Sequence, residues 1–147
     1  MKRLLKPRYY CDYCKKSGAS GSHMSQHEKR CTLNPKRECR VCKHVADDAA
    51  PLAELIVIAD KIAVDRISDE DGLKMLSKAA GGCPACMLSA IRQSTKIKEL
   101  RDIDTCFINV DGNGSGCLYS FDYKAEMKKV WKEVNADYKE SVGGGYY

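Results

Sequence analysis

Apolar residues are sparse up to about residue 44 and periodic beyond it. Leu52, Leu55, Ile56, Ala59, Ile62 and Ala63 recur at helical spacing, and Val57, Ile58 and Val64 widen the apolar surface, which predicts a helix packed on more than one side. Pro51 suits its first turn. Ser68 followed three residues later by Asp71 is a capping-box-like start for a second helix, which runs through Leu73 and Leu76 to a stop at Gly81 and Gly82. A third helix begins at once. Pro84 takes its first position, Cys83 is the cap residue, Cys86 falls in the first turn, and Met87, Leu88 and Ile91 form the buried stripe. The period then changes to two. Residues 106–110 and 117–121 alternate around 111–116, and a turn at Asn113 and Gly114 sets Val110 opposite Cys117, Ile108 opposite Tyr119 and Cys106 opposite Phe121. This predicts a half-buried β-hairpin with Cys106 and Cys117 as free thiols on its inner face. A helix over about 123–138 follows, with Met127, Val130, Trp131, Val134 and Tyr138 on one stripe, and then a flexible tail, 143–147.

Charge divides the chain at the same place as hydropathy. Residues 1–43 hold twelve Lys or Arg against three acids, a net of +9, whereas residues 44–147 hold thirteen against seventeen, a net of −4. The longest apolar run, Leu55 to Ala59, is too short to cross a bilayer, and no apolar stretch follows Met1, Lys2 and Arg3 as a secretory leader requires. The expectation is therefore a protein of a reducing cytoplasm with no membrane partner. Against that background nine cysteines in 147 residues call for metal or redox chemistry, since disulfides do not persist there. Six of the nine fall into three CxxC pairs.

The first constellation is Cys11, Cys14, His27 and Cys31: CxxC, twelve residues, then HxxxC. A knuckle pair and two residues four apart on one helix face complete a tetrahedron suited to zinc. The spacing resembles the Cys-Cys-His-His zinc-finger family in its Cys-Cys-His-Cys variant. Tyr9 matches that family's aromatic residue two before the first cysteine, and Met24 its apolar residue three before the histidine. The resemblance covers about 23 residues and departs at Gly18, where the family places a core Phe. His23, four residues before His27, remains an alternative to Cys31 as fourth ligand, although it leaves only eight residues after Cys14.

The second constellation joins Cys39 and Cys42 to Cys83 and Cys86, forty residues away at a helix start that stabilises thiolate. His44 is a possible substitute ligand. A redox rival is that Cys83, Pro84, Ala85 and Cys86 look like the dithiol motif of glutaredoxins, but a helix and a Gly-Gly stop precede them where that fold demands a strand. Two zinc ions per chain are expected. Three thiolates on one and four on the other give the sites −1 and −2, lowering the formal +5 to about +2. Phage-type resolving and HNH nucleases also carry paired CxxC motifs, yet they need His and Asn near the second pair, and neither occurs between His44 and Asn109. The loop 111–122 imitates a calcium loop at several positions, but the hairpin accounts for more of its residues.

The expected fold is α+β and mainly helical: a basic N-terminal zinc finger over 1–38, and a helical core over 39–142 closed by a Cys-four zinc site and completed by the C-terminal hairpin and helix. The segment from His27 through Asn34, Pro35, Cys39 and Cys42, together with Cys83 to Cys86, looks like small zinc-finger proteins of bacteriophage and bacterial genomes. That similarity implies a bacterial or phage-infected cell and no activity. No catalytic constellation is present, so a non-enzymatic protein is expected. The finger resemblance implies nucleic-acid binding, with Ser20, His23 and Gln26 at the family's base-contacting positions and Lys15, Lys16, Lys29 and Arg30 on phosphates. Lys2, Arg3, Lys6 and Arg8 extend the basic segment, while Arg37, Arg40 and Lys43 serve to neutralise the second site. The alternative is an adaptor that binds a host or viral protein, its zinc purely structural.

Overall fold

The computed structural model describes residues 7–45, 48–103 and 121–142. The expected hairpin, with Cys106 and Cys117, and the tail 143–147 lie outside the described residues, as do Lys2, Arg3 and Lys6. Mainly helical architecture is borne out. Two short strands, β1 (Tyr9–Tyr10) and β2 (Ser17–Gly18), precede seven helices among the described residues. These are α1 (Gly21–Arg30), α2 (Cys42–Val45), α3 (Leu52–Val64), α4 (Asp69–Ala79), α5 (Pro84–Gln93), α6 (Thr95–Ile103) and α7 (Tyr123–Val142). β1 and β2 pair antiparallel, with Tyr9 opposite Gly18 and Tyr10 opposite Ser17.

The caps follow the residues that announced them. Ser68 accepts a bond from Asp71 N at the start of α4 and donates to the Asp71 carboxylate at 2.7 Å. At its end Gly82 N bonds Ser77 O and Gly81 N bonds Lys78 O, with φ of 58° at Gly81 and 74° at Gly82. That is the glycine-terminated Schellman pattern, which needs a left-handed residue after the cap. Cys83 caps α5 and Pro84 opens it.

α5 occupies the centre, in contact with α3, α4, α6 and α7. Seven of its ten residues are buried, Ala85, Ser89 and Ala90 among them, and such small side chains let neighbouring helices come close. Leu55, Ala59 and Ile62 of α3, Leu76 of α4, Leu88 and Ile91 of α5, Ile97 of α6 and Phe121 form one apolar cluster. α6 is an element that the sequence reading passes over. Its start is built by Ser94, whose hydroxyl accepts from Ile97 N at 3.1 Å and donates to Asp60 of α3, while Asp60 also takes Lys96 N.

Two expectations are corrected. Ile58 packs against the core as expected, but Val57 and Val64 are 66% and 62% exposed, so the side of α3 opposite Leu55, Ala59 and Ile62 is bare. Trp131 is 40% exposed although its stripe-mate Val130 is buried. Its ring meets His44, centroids 5.7 Å apart and planes tilted by 58°.

Candidate metal centres

The first cluster is assembled from β-turn, helix and loop. Cys11 and Cys14 sit on the knuckle after β1, closed by Cys11 N bonding Lys16 O at 2.9 Å. Tyr13 N and Lys16 N point at the Cys11 and Cys14 sulfurs, at 3.4 and 3.5 Å. Ser20 caps α1, His27 lies in its last turn, and Cys31 follows as the C-cap residue. Cys14 Sγ and His27 Nε2 are 3.2 Å apart, and all four ligand atoms lie within 4.8 Å of one another. A zinc ion about 2.0–2.3 Å from each ligand sets tetrahedron edges of about 3.5–3.8 Å, so the donor set and spacing fit. His23 is exposed and outside this cluster; Cys31 is in it and buried. Met24 fills the finger's interior with Cys11 and Cys31. A Cβ at Gly18 would lie 3.4 Å from the Met24 methyl, so the methionine reaches across the space left by the glycine.

The second cluster joins the loop before α2 to the N-terminus of α5. Cys39 Sγ is 3.6 Å from Cys83 Sγ, Cys42 Sγ is 3.2 Å from Cys86 Sγ, and the four sulfurs lie within 4.8 Å of one another. His44 is not among them; it faces Trp131. Without metal Cys39, Cys83 and Cys86 share protons unevenly. Hydrogen bonds from Cys83 and Cys86 hold Cys39 far below the usual thiol range. Donating to Cys39 pushes Cys83 up to about 12 and Cys86 upward as well. In the first cluster burial raises Cys31 to about 11. Burial also opposes ionisation of Cys14, yet the Lys16 N–H, the Cys11 and Cys31 thiols and the Lys16 charge outweigh it and lower that thiol.

Arg37 borders the second cluster. It lines a recess of about 270 Å³ with Cys39, Cys42 and Cys86. Its Nη1 donates to Ala85 O at 2.7 Å and to Ser89 Oγ at 2.6 Å, whereas its buried Nε has no partner. Its guanidinium charge lines the same recess as the cysteines of a site whose four thiolates would carry −2 with zinc bound. The donor chemistry around the cluster thus fits a loaded site.

Between the two clusters the chain is clasped to α5. Asn34 donates to Glu28 O at 2.7 Å and accepts from Lys36 N at 2.8 Å. Gln93 Nε2 donates to Thr32 O and Asn34 O, and Arg92 donates to Thr32 Oγ1. Nothing in the sequence signalled the reach of Arg92 and Gln93 across about sixty residues.

Comparison with protein-family models, curated proteins and solved structures finds no match to the chain. The likeness to a zinc finger therefore rests on ligand spacing and on the geometry above. Among the described residues no helix is long and apolar enough to cross a membrane. Of the residues expected to meet nucleic acid, Arg8, Lys15, Lys16, His23, Gln26 and Lys29 are exposed, and Ser20 and Arg30 are half-buried. The Ser20 hydroxyl is occupied as the α1 cap, accepting from His23 N at 3.4 Å with Ser22 Oγ 3.0 Å away.

Proposed function

We propose that this chain is a non-catalytic zinc protein that binds nucleic acid through its basic N-terminal finger, in the reducing cytoplasm of a bacterial or phage-infected cell. One observation carries the reading: α1 turns Met24 inward and leaves His23, Gln26 and Lys29 in solvent, and His23 shares a recess with the exposed Lys16. No acidic residue stands in the first turn of α1 to oppose a phosphate there. Zinc at the first site organises this face, and zinc at the second fixes the helical core behind it. One finger spans about three base pairs, so binding is weak and driven by phosphate contacts.

Zinc-loaded protein should be retained on DNA or RNA at about 50 mM salt and lose roughly two to three orders of magnitude in affinity by about 200 mM, as four to six phosphate contacts require. Joint replacement of Lys2, Arg3, Lys6 and Arg8 by Ala should weaken binding to every sequence alike, whereas His23→Ala or Gln26→Ala alters preference where bases are read. No retention at the lower salt would overturn this reading. The second reading is a protein-binding adaptor. What favours it is the exposed pair Val57 and Val64, two turns apart on α3, together with Trp131. It expects a co-purifying protein that survives the lysine and arginine changes.

A further inference from the structure

We infer that the exposed rings of Tyr10 and Tyr13 are stacking positions for unpaired bases, so that the nucleic acid the finger takes is single-stranded. The inference rests on the nucleic-acid reading above and adds the class of ligand. Tyr9, Tyr10 and Tyr13 are 43%, 65% and 41% exposed, in a module whose interior is otherwise made by Met24 and the ligand cysteines. A segment this short of apolar residues would be expected to bury its aromatic rings, and it buries none of these three.

The backbone explains how the rings are mounted. Side chains alternate across a strand. Tyr9 turns toward the start of α1, where a Cβ on Gly21 would come within 3.1 Å of its ring, so Tyr10 takes the opposite face. The cross-strand partner of Tyr10 is Ser17, too small to cover a phenol ring. Tyr13 stands in the knuckle, its N–H committed to Cys11 Sγ at 3.4 Å, so the metal site pins its backbone while the ring stays accessible. Rings held on a fixed backbone lose little freedom when a base settles on them.

Charge identifies the occupant. Over residues 7–31 the cations Arg8, Lys15, Lys16, Lys29 and Arg30 outnumber two acids, Asp12 and Glu28, and the Glu28 carboxylate is engaged by Asp12 N at 3.0 Å. Aromatic faces interleaved with cations match a strand of alternating bases and phosphates. In a duplex the bases already stack on one another and offer no free face; an unpaired base does. Truncating one stacking ring is expected to weaken binding by roughly 5- to 100-fold.

The test uses the full zinc-loaded chain and fluorescence anisotropy with labelled oligothymidine, oligouridine and a duplex of equal length, at a fixed low salt. Single strands should bind more tightly than duplex, and Tyr10→Ala and Tyr13→Ala should each weaken single-strand binding at least fivefold, while Tyr10→Phe and Tyr13→Phe stay near the parent. Zinc content of each variant verifies the fold, and Tyr10, the most exposed ring, provides the variant least able to disturb it. Duplex binding equal to or tighter than single-strand binding would overturn the stacking inference and leave the nucleic-acid reading standing. So would single-strand binding that is indifferent to both alanine changes. Retention of no nucleic acid would overturn both, and these rings would then belong to a protein contact.

Discussion

Arg37 places a cation at the edge of the second cluster. Its Nη1 is committed to Ala85 O and Ser89 Oγ, and its Nε is buried without a partner beside a recess shared with three ligand cysteines. Arg37→Met keeps the bulk and removes the charge and donors. It should speed zinc loss from the second site to a chelator and weaken affinity, as expected when a cation beside a −2 site is removed. Arg37→Lys, which restores charge without the fork, should fall between. The thiols make a second prediction at this scale, for metal-free protein. Cys39 is depressed in the fold, so its stabilisation is present above the unfolded thiol value of 9.0 and is lost as pH falls. Cys83 is raised to about 12, so its stabilisation is present below 9.0 and is lost as pH rises. The contribution of this cluster to urea resistance should therefore peak near pH 9 without zinc. With zinc bound, all four must be thiolates, and resistance should fall only on the acid side as protons displace the metal.

At the scale of elements, the covered and bare sides of α3 separate cleanly. Leu55 is fully buried against the α5 core, so Leu55→Ala should cost about 2–5 kcal/mol in chemical denaturation. Val57, two residues on and 66% exposed, should tolerate Ala within about 0.5 kcal/mol. The periodic apolar pattern made α3, α4 and α7 legible, Pro84 and its apolar run marked the central α5, and caps at Ser68, Cys83 and Gly81 marked helix ends. The same pattern misled about Val57, Val64 and Trp131, since hydropathy reports what a residue tolerates and not whether a neighbour reaches it. α6 was missed because its start depends on Ser94 bonding Asp60, a contact between helices that no local window contains. Both ligand sets were legible because tetrahedral zinc constrains spacing so tightly. The Arg92 and Gln93 clasp was not, since long polar side chains carry no periodicity.

Across the molecule, the second site ties residues 39 and 42 to the start of the central helix, while the first site closes residues 11–31 on themselves. Loss of a structural zinc is worth on the order of 10 kcal/mol in small modules. Cys83→Ser should therefore destabilise the helical core throughout, read as faster hydrogen exchange in α3 and α5. Cys11→Ser should release the finger and leave those helices protected. Equal loss of protection in both variants would mean that the clasp of Arg92 and Gln93 on Thr32 and Asn34 makes finger and core one folding unit.

Both halves of the molecule are held to depend on metal. Native mass spectrometry of the chain purified without added metal measures it directly, by the mass carried over the polypeptide and its identity on release in acid. Two zinc ions per chain are predicted, falling to one in Cys83→Ser and to one in Cys11→Ser. A purified chain that is folded and carries no zinc, or a single ion, would contradict it.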